Sequence, residues 1–150
     1  MKKMLVLLLS GVILSGVSVV SAQVLEEQKG DYYEAVKLLY VDKNFNEALN
    51  KVNALLEQTP DSAELYSLRA QIYEDMENKR AALADFEQAI KVNPKNSSAF
   101  SMRACVKIAK GELKSANEDL EIANKLLEEE EKEATEQKEK IKNPDADKGE

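Results

Sequence analysis

Arg69 and Arg103, Cys105, and the run Glu128 to Glu131 are the residues whose types and spacing could do chemistry in this 150-residue chain. The two arginines stand 34 positions apart and could clamp an anion between their guanidinium groups. The carboxylate run could attract cations. Consecutive carboxylates on a helix point around it, however, and cannot converge on one ion. Cys105 is the sole cysteine, so no internal disulfide is open to it. It reads as a small apolar filler on a helix, or more sharply as an intermolecular link. Histidine is absent, which removes the commonest general base and metal ligand. There is no phosphate-cradling glycine loop and no nucleophile-elbow spacing. Acid, base and nucleophile cannot be assembled, so the sequence predicts no catalysis, no cofactor and no metal.

The elements that position these residues are helical by composition. Charged residues make up 33 %, and there are only 5 Gly and 3 Pro. Aromatics are 5 % with no Trp, so a core must rest on Leu, Ile, Val and Ala. The length suits one domain. A net charge of −7 lacks the basic surface that nucleic acid requires.

Residues 1–22 stand apart. Lys2 and Lys3 precede an uncharged run from Met4 to Val20, and Val20-Ser21-Ala22 offers small residues before Gln23. That is the pattern of a cleaved secretory signal, with the cut after Ala22. The uncharged run, with Gly11, Gly16 and three serines, falls short of the ~20 mostly apolar residues of a span. The rival is an uncleaved anchor, the one case in which a membrane contact is expected. No Cys near the cut allows lipid attachment. The expected location is periplasmic or secreted. Removing Lys2 and Lys3 leaves 19 basic and 28 acidic groups, net −9, which favours a neutral or basic partner.

The mature part repeats itself. VNALLEQTP at 52–60 aligns with FEQAIKVNP at 86–94, placing Pro60 over Pro94 at a separation of 34. The same offset relates Tyr32, Tyr66 and Phe100; Val36, Ala70 and Ala104; Ala48, Ala82 and Ala116; Val52, Phe86 and Leu120; and Leu55, Ala89 and Ala123. Within each copy the apolar steps are helical, as in Ala82, Phe86, Ala89 and Ile90. Turn residues fall between the halves, at DKN 42–44, MEN 76–78 and KGE 110–112. Each copy is therefore helix, tight turn, helix. Pro60 and Pro94 end the second helix of units 1 and 2. Asp31 with Glu34, and Asp61 with Glu64, are expected to cap the first helix of units 1 and 2.

The spacing Tyr66, Ala70, Tyr73, Ala82, Phe86, Ala89, Pro94 resembles the tetratricopeptide repeat signature, with looser copies on either side. The resemblance implies an all-α, right-handed solenoid of three helix-turn-helix units, 29–62, 63–96 and 97–130, within a domain over 23–130. It also implies a concave face, lined by the first helix of each unit, that holds a segment of another protein. Carried through the motif, the groove residues are Tyr33, Lys37 and Tyr40 in unit 1; Glu64, Ser67, Leu68, Gln71 and Glu74 in unit 2; and Ser98, Ser101, Met102, Cys105 and Ile108 in unit 3. One subset of the family grips a partner's C-terminal carboxylate with Lys, Asn and Arg. The matching places here are Tyr33, Lys37, Leu68, Ser98 and Met102, so that clamp is absent. Arg69 and Arg103 occupy a place where arginine is common in the family, which favours a structural role between units.

After Ala123 no proline interrupts the chain until Pro144, and strong helix formers with Glu128–Lys132 and Glu136–Lys140 pairs carry a helix to about Lys142. Its early part is expected to cap the end of the stack. Residues 131–150 read as a charged helical and then disordered tail. Leu120, Leu127, Ala134 and Ile141 recur every seven residues, but Glu130 and Gln137 break the matching seam. The functional expectation is a non-catalytic adaptor, scaffold or assembly factor. The alternative is a structural protein that associates with itself through its terminal units or last helix.

Overall fold

A computed structural model describes residues 19–142, with side chains described from Glu26 onward except Lys140. The leader up to position 18, and the tail segment from 143, lie outside the described residues. Six helices follow in order: α1 (Val19–Tyr40), α2 (Phe45–Gln58), α3 (Ala63–Asp75), α4 (Lys79–Val92), α5 (Ser97–Ala109) and α6 (Leu113–Lys142). Connections of three or four residues make neighbours antiparallel, and each helix packs on the next to form a right-handed solenoid of helix pairs.

Side-chain caps start four of the helices. Asn44, Ser62, Asn78 and Asn96 each accept a hydrogen bond from the backbone N–H three residues on. Two expected caps are corrected. Ser62 rather than Asp61 caps α3, with its hydroxyl 3.3 Å from the Leu65 nitrogen. Asp31 caps nothing, because α1 begins twelve residues earlier and runs straight through it. Pro60 and Pro94 each follow a C-cap, Thr59 and Asn93, and prevent continuation.

The turns inside the three units share one device. Lys43, Glu77 and Gly111, spaced by 34, all lie in the left-handed region with φ of 52°, 58° and 82°. In units 2 and 3 the next residue closes the helix end, Asn78 N–H to Tyr73 carbonyl at 2.8 Å and Glu112 N–H to Lys107 carbonyl at 2.9 Å.

Ala48, Ala82 and Ala116 are fully buried, each on the second helix of the pairs α1–α2, α3–α4 and α5–α6. One core gathers Ala35, Leu38, Leu39, Val52, Leu55 and Leu56 with Leu65, Leu68 and Ile72 of α3. A second gathers Ala70, Ala82, Phe86 and Ala89 with Ala99 and Val106 of α5. The side of α3 and α5 that faces the preceding unit therefore uses Leu65, Leu68 and Ile72, and then Ala99, Met102 and Val106.

The same register shows how the stack ends. In unit 1 the places of Leu65 and Leu68 are held by Asp31 and Glu34, and Lys51 pairs with both, at 3.1 and 2.6 Å. In unit 3 the places of Leu49 and Leu83 are held by Asn117, and those of Leu56 and Ile90 by Asn124. Both asparagines are exposed, whereas their leucine and isoleucine counterparts pack against the cores. Terminal repeats need such polar outer faces to stay soluble.

The early part of α6 covers α5, with Ala116, Asp119 and Ala123 buried. The helix packs on α5 and then continues past it to Lys142, exposed on every side beyond Leu126. An exposed ion pair, Lys95 to Glu133 at 3.4 Å, is its contact with the α4–α5 loop.

Candidate protein-binding groove

The candidate groove draws on one stripe of each odd-numbered helix. Steps of three and four residues align Tyr33, Lys37 and Tyr40 on α1, Glu64, Ser67, Gln71 and Glu74 on α3, and Ser98, Ser101, Cys105 and Ile108 on α5. Two contacts hold the stripes side by side. The Tyr40 hydroxyl donates to the Gln71 side-chain carbonyl. The Asn96 amide lies 3.5 Å from the Ser67 hydroxyl, joining the start of α5 to α3.

The predicted residues divide by burial. Tyr33 (69 % exposed), Tyr40 (52 %) and Ile108 (47 %) stand open as apolar contacts. Lys37, Glu64, Ser98 and Cys105 are also exposed, and Gln71, Glu74, Ser101 and Met102 are half-buried. Leu68 and Ser67 are corrections. Leu68 is 3 % exposed and belongs to the first core, and Ser67 is 9 % exposed on the groove floor. Leu68 looks inward because it sits one residue round α3 from the stripe, against α1 and α2. Met102, its equivalent on α5, is half in the second core for the same reason.

The groove's electrostatics are uneven. Lys37 is 3.6 Å from Asp42, and Lys43 is 3.6 Å from Asp75 and lies over the Tyr40 ring at 5.9 Å. Burial pushes the Tyr40 hydroxyl up, and the negative field of Asp75 and Glu74 adds to it. Burial likewise raises Glu74, Asp75 raises it further, and Lys79 opposes both. Among the described residues no group of three or more His, Cys, Asp or Glu is arranged to hold a metal.

Arg69 and Arg103 turn away from the groove and brace the stack. Arg69 donates two bonds to Asp85, both 2.7 Å, and a third of 2.8 Å to Asn53 of the preceding unit. Arg103 holds Asp119 at 2.6 and 2.8 Å, and Lys107 joins at 2.7 Å. Each guanidinium also covers its neighbouring ring, Tyr66 at 5.5 Å and Phe100 at 5.4 Å. Hydrogen bonds to the aspartates raise both arginines further. Their buried partners, Asp85 and Asp119, also stand 34 apart. That spacing was a signal available in the sequence.

Comparison with known proteins agrees with this architecture. Residues 63–96, the whole of unit 2, match the model of the tetratricopeptide repeat. The chain is 28 % identical over 101 residues to the TPR repeat-containing thioredoxin TDX of Arabidopsis thaliana, covering 67 % of this chain and 26 % of that protein. It thus spans about a quarter of that relative's length. Among solved structures it is similar to the first TPR of Spaghetti (RPAP3) bound to the HSP90 peptide SRMEEVD. The TM-score is 0.63 at 21 % identity, over 67 % of this chain and 79 % of that one. It is also similar to the Yersinia enterocolitica type III secretion chaperone SycD in complex with a peptide of the translocator YopD. That match has a TM-score of 0.63 at 19 % identity, over 73 % and 80 % of the two chains.

Proposed function

Because the chain is a tetratricopeptide-repeat protein with polar residues at matched apolar places of its first and last units, we propose that it is a non-catalytic interaction module. It holds a segment of another protein against its concave face, outside the cytoplasm, as an adaptor or assembly factor. The observation that carries this is the uncovered row of groove stripes, with Tyr33, Tyr40 and Ile108 left open above a half-buried polar floor. Apolar contacts ringed by polar groups are the anatomy of an interface. SycD and the RPAP3 domain, each holding a peptide, support the same use of the fold. End-to-end self-association is opposed by the polar residues on both terminal faces, Asp31 and Glu34 at one end and Asn117 and Asn124 at the other.

Location rests on the basic start and the uncharged run of residues 1–22. Cleavage after Ala22 would remove the first turn of α1, and a mature chain starting at Gln23 on N-terminal sequencing is the expected result. Binding is tested at Cys105, the sole cysteine and an exposed groove residue. A thiol-linked photo-crosslinker placed there needs no mutation. One discrete foreign protein among the adducts is expected. Adducts with the chain itself alone would transfer the reading to self-association, and no adduct would remove the groove from consideration.

A further inference from the structure

Glu74 is a groove carboxylate that its own fold leaves unanswered. Asp42 and Asp75 have Lys37 and Lys43 at 3.6 Å. Glu74 is half-buried, and among the described residues no Lys or Arg stands within ion-pair distance of it. A carboxylate stripped of part of its water, with Lys79 acting on it only from beyond ion-pair distance, is a site where an incoming cation gains much.

Its surroundings specify more than charge. Tyr40, Glu74 and Ile108 occupy the same place in successive units, 34 residues apart. Parallel helices of one stack carry matched places at one level, so these three side chains form a row across the groove. The row reads aromatic, acidic, aliphatic, and its two outer members are about half exposed. The parallel rows do not have this pattern: Lys37, Gln71 and Cys105 form one, and Tyr33, Ser67 and Ser101 another.

We propose that the row Tyr40, Glu74, Ile108 seats one Lys or Arg side chain of an extended partner segment, with an apolar side chain on either side. Neighbouring helices lie on the order of 10 Å apart, close to the ~9 Å rise of one three-residue turn of polyproline II, which brings every third side chain back to the same face. The recognised pattern is therefore apolar, two residues, Lys or Arg, two residues, apolar. An acidic residue at the centre is disfavoured, because it meets the carboxylates of Glu74 and Asp75 while Lys43 is already paired with Asp75 and Lys79 donates to the Ala109 carbonyl. This inference rests on the groove being the partner site.

The test uses three synthetic peptide pools, Leu-X-X-Z-X-X-Leu, with X drawn from Gly, Ala, Ser and Thr. Z is Lys, acetyl-lysine or Glu. Retention on the full chain is quantified by mass spectrometry. The Lys pool is expected to be retained about tenfold over the other two in ~0.1 M salt, with the gap narrowing in ~0.5 M salt. Glu74→Gln should reduce the preference below about twofold while retention persists, and Glu74→Lys should turn it toward the Glu pool. Undiminished preference in Glu74→Gln, or equal retention of all pools by the wild type with loss in Ile108→Asp, would overturn the cation seat and leave the groove standing. Retention unaffected by Ile108→Asp and Tyr40→Ser, or no retention at all, would overturn the groove and the seat with it. Circular dichroism of each variant confirms that the stack is intact.

Discussion

Unit 2 is covered on both sides, whereas units 1 and 3 are each covered on one, and the three otherwise share a register and a turn. Phe86 is fully buried in the middle of unit 2, while Leu120, its counterpart in unit 3, is half-buried, with no helix beyond α6 among the described residues to cover it. Arg69 reaches an aspartate of its own unit and an asparagine of the one before. Among the described residues no helix pair stands before unit 1. There Ala35 stands in the arginine's place, and Lys51 stands in the aspartate's. Lys51 turns instead to Asp31 and Glu34 at the free face. The difference teaches that the repeat is a set of places, and that residue choice at each place reports what lies beside it.

The contrast breaks most visibly at the buried ring. Phe86→Ala should lower unfolding free energy by about 3–5 kcal/mol, and Leu120→Ala by roughly 1–2, since a part-exposed site leaves a smaller cavity. Urea denaturation of both variants compares them. Equal losses would mean that unit 3 is as enclosed as unit 2.

The ion pairs should differ almost as much. Arg69→Met leaves Asp85 buried without its partner and should be destabilising by about 2–4 kcal/mol, part of it recovered in the double variant with Asp85→Leu. Lys51→Met acts on more exposed carboxylates and should change stability by less than about 1 kcal/mol. The third site adds a pH dependence. Burial alone would raise the Asp119 carboxyl, but hydrogen bonds from Arg103 and Lys107 outweigh it and hold the group below its ordinary range. A carboxyl depressed on folding stabilises above its unfolded value, near ~3.9, and that stabilisation fades as pH falls through the lower folded value. Stability should therefore decline below about pH 4, with a shallower decline in Asp119→Asn.

The end faces can be converted. Asn117→Leu with Asn124→Ile gives α6 the residues that α4 presents at Leu83 and Ile90. The apolar face so exposed should drive association through that end, read as a concentration-dependent increase in size by sedimentation. A variant that stays monomeric would show that the asparagines are not what closes the stack.

Much of this was legible in the sequence because burial and repetition use the same alphabet. The alanine column, the proline stops and the turn segments are set by local sterics, so their types alone reveal them. Leu68 was misplaced for a related reason: motif position gives a helix face, but one residue of rotation decides between groove and core, and only packing against α1 and α2 fixes it. Asp31 resembled a cap because Glu34 stands three residues on, yet the helix formers upstream carry α1 through. The polar ends were readable all along, in Asp31, Glu34, Asn117 and Asn124 at places where the other copies are apolar. Nothing local marks Glu74 as unpaired, since that depends on where Lys43 and Lys79 reach.

The smallest expected effect concerns the matched turns. Lys43, Glu77 and Gly111 adopt the same left-handed conformation, but only Gly111 does so without a side chain crowding its own backbone. Open space surrounds Gly111, so nothing but backbone conformation opposes a side chain there. Glu77→Gly should therefore stabilise the chain by about 0.5–1 kcal/mol, and Gly111→Ala should destabilise it by a similar amount. Lys43→Gly should gain less, because Lys43 also pairs with Asp75 and lies over Tyr40. Melting temperatures of the three variants rank them. If Lys43→Gly gained more than Glu77→Gly, its contacts across to α3 would contribute nothing, and the lysine would serve unit 1 only as a strained turn.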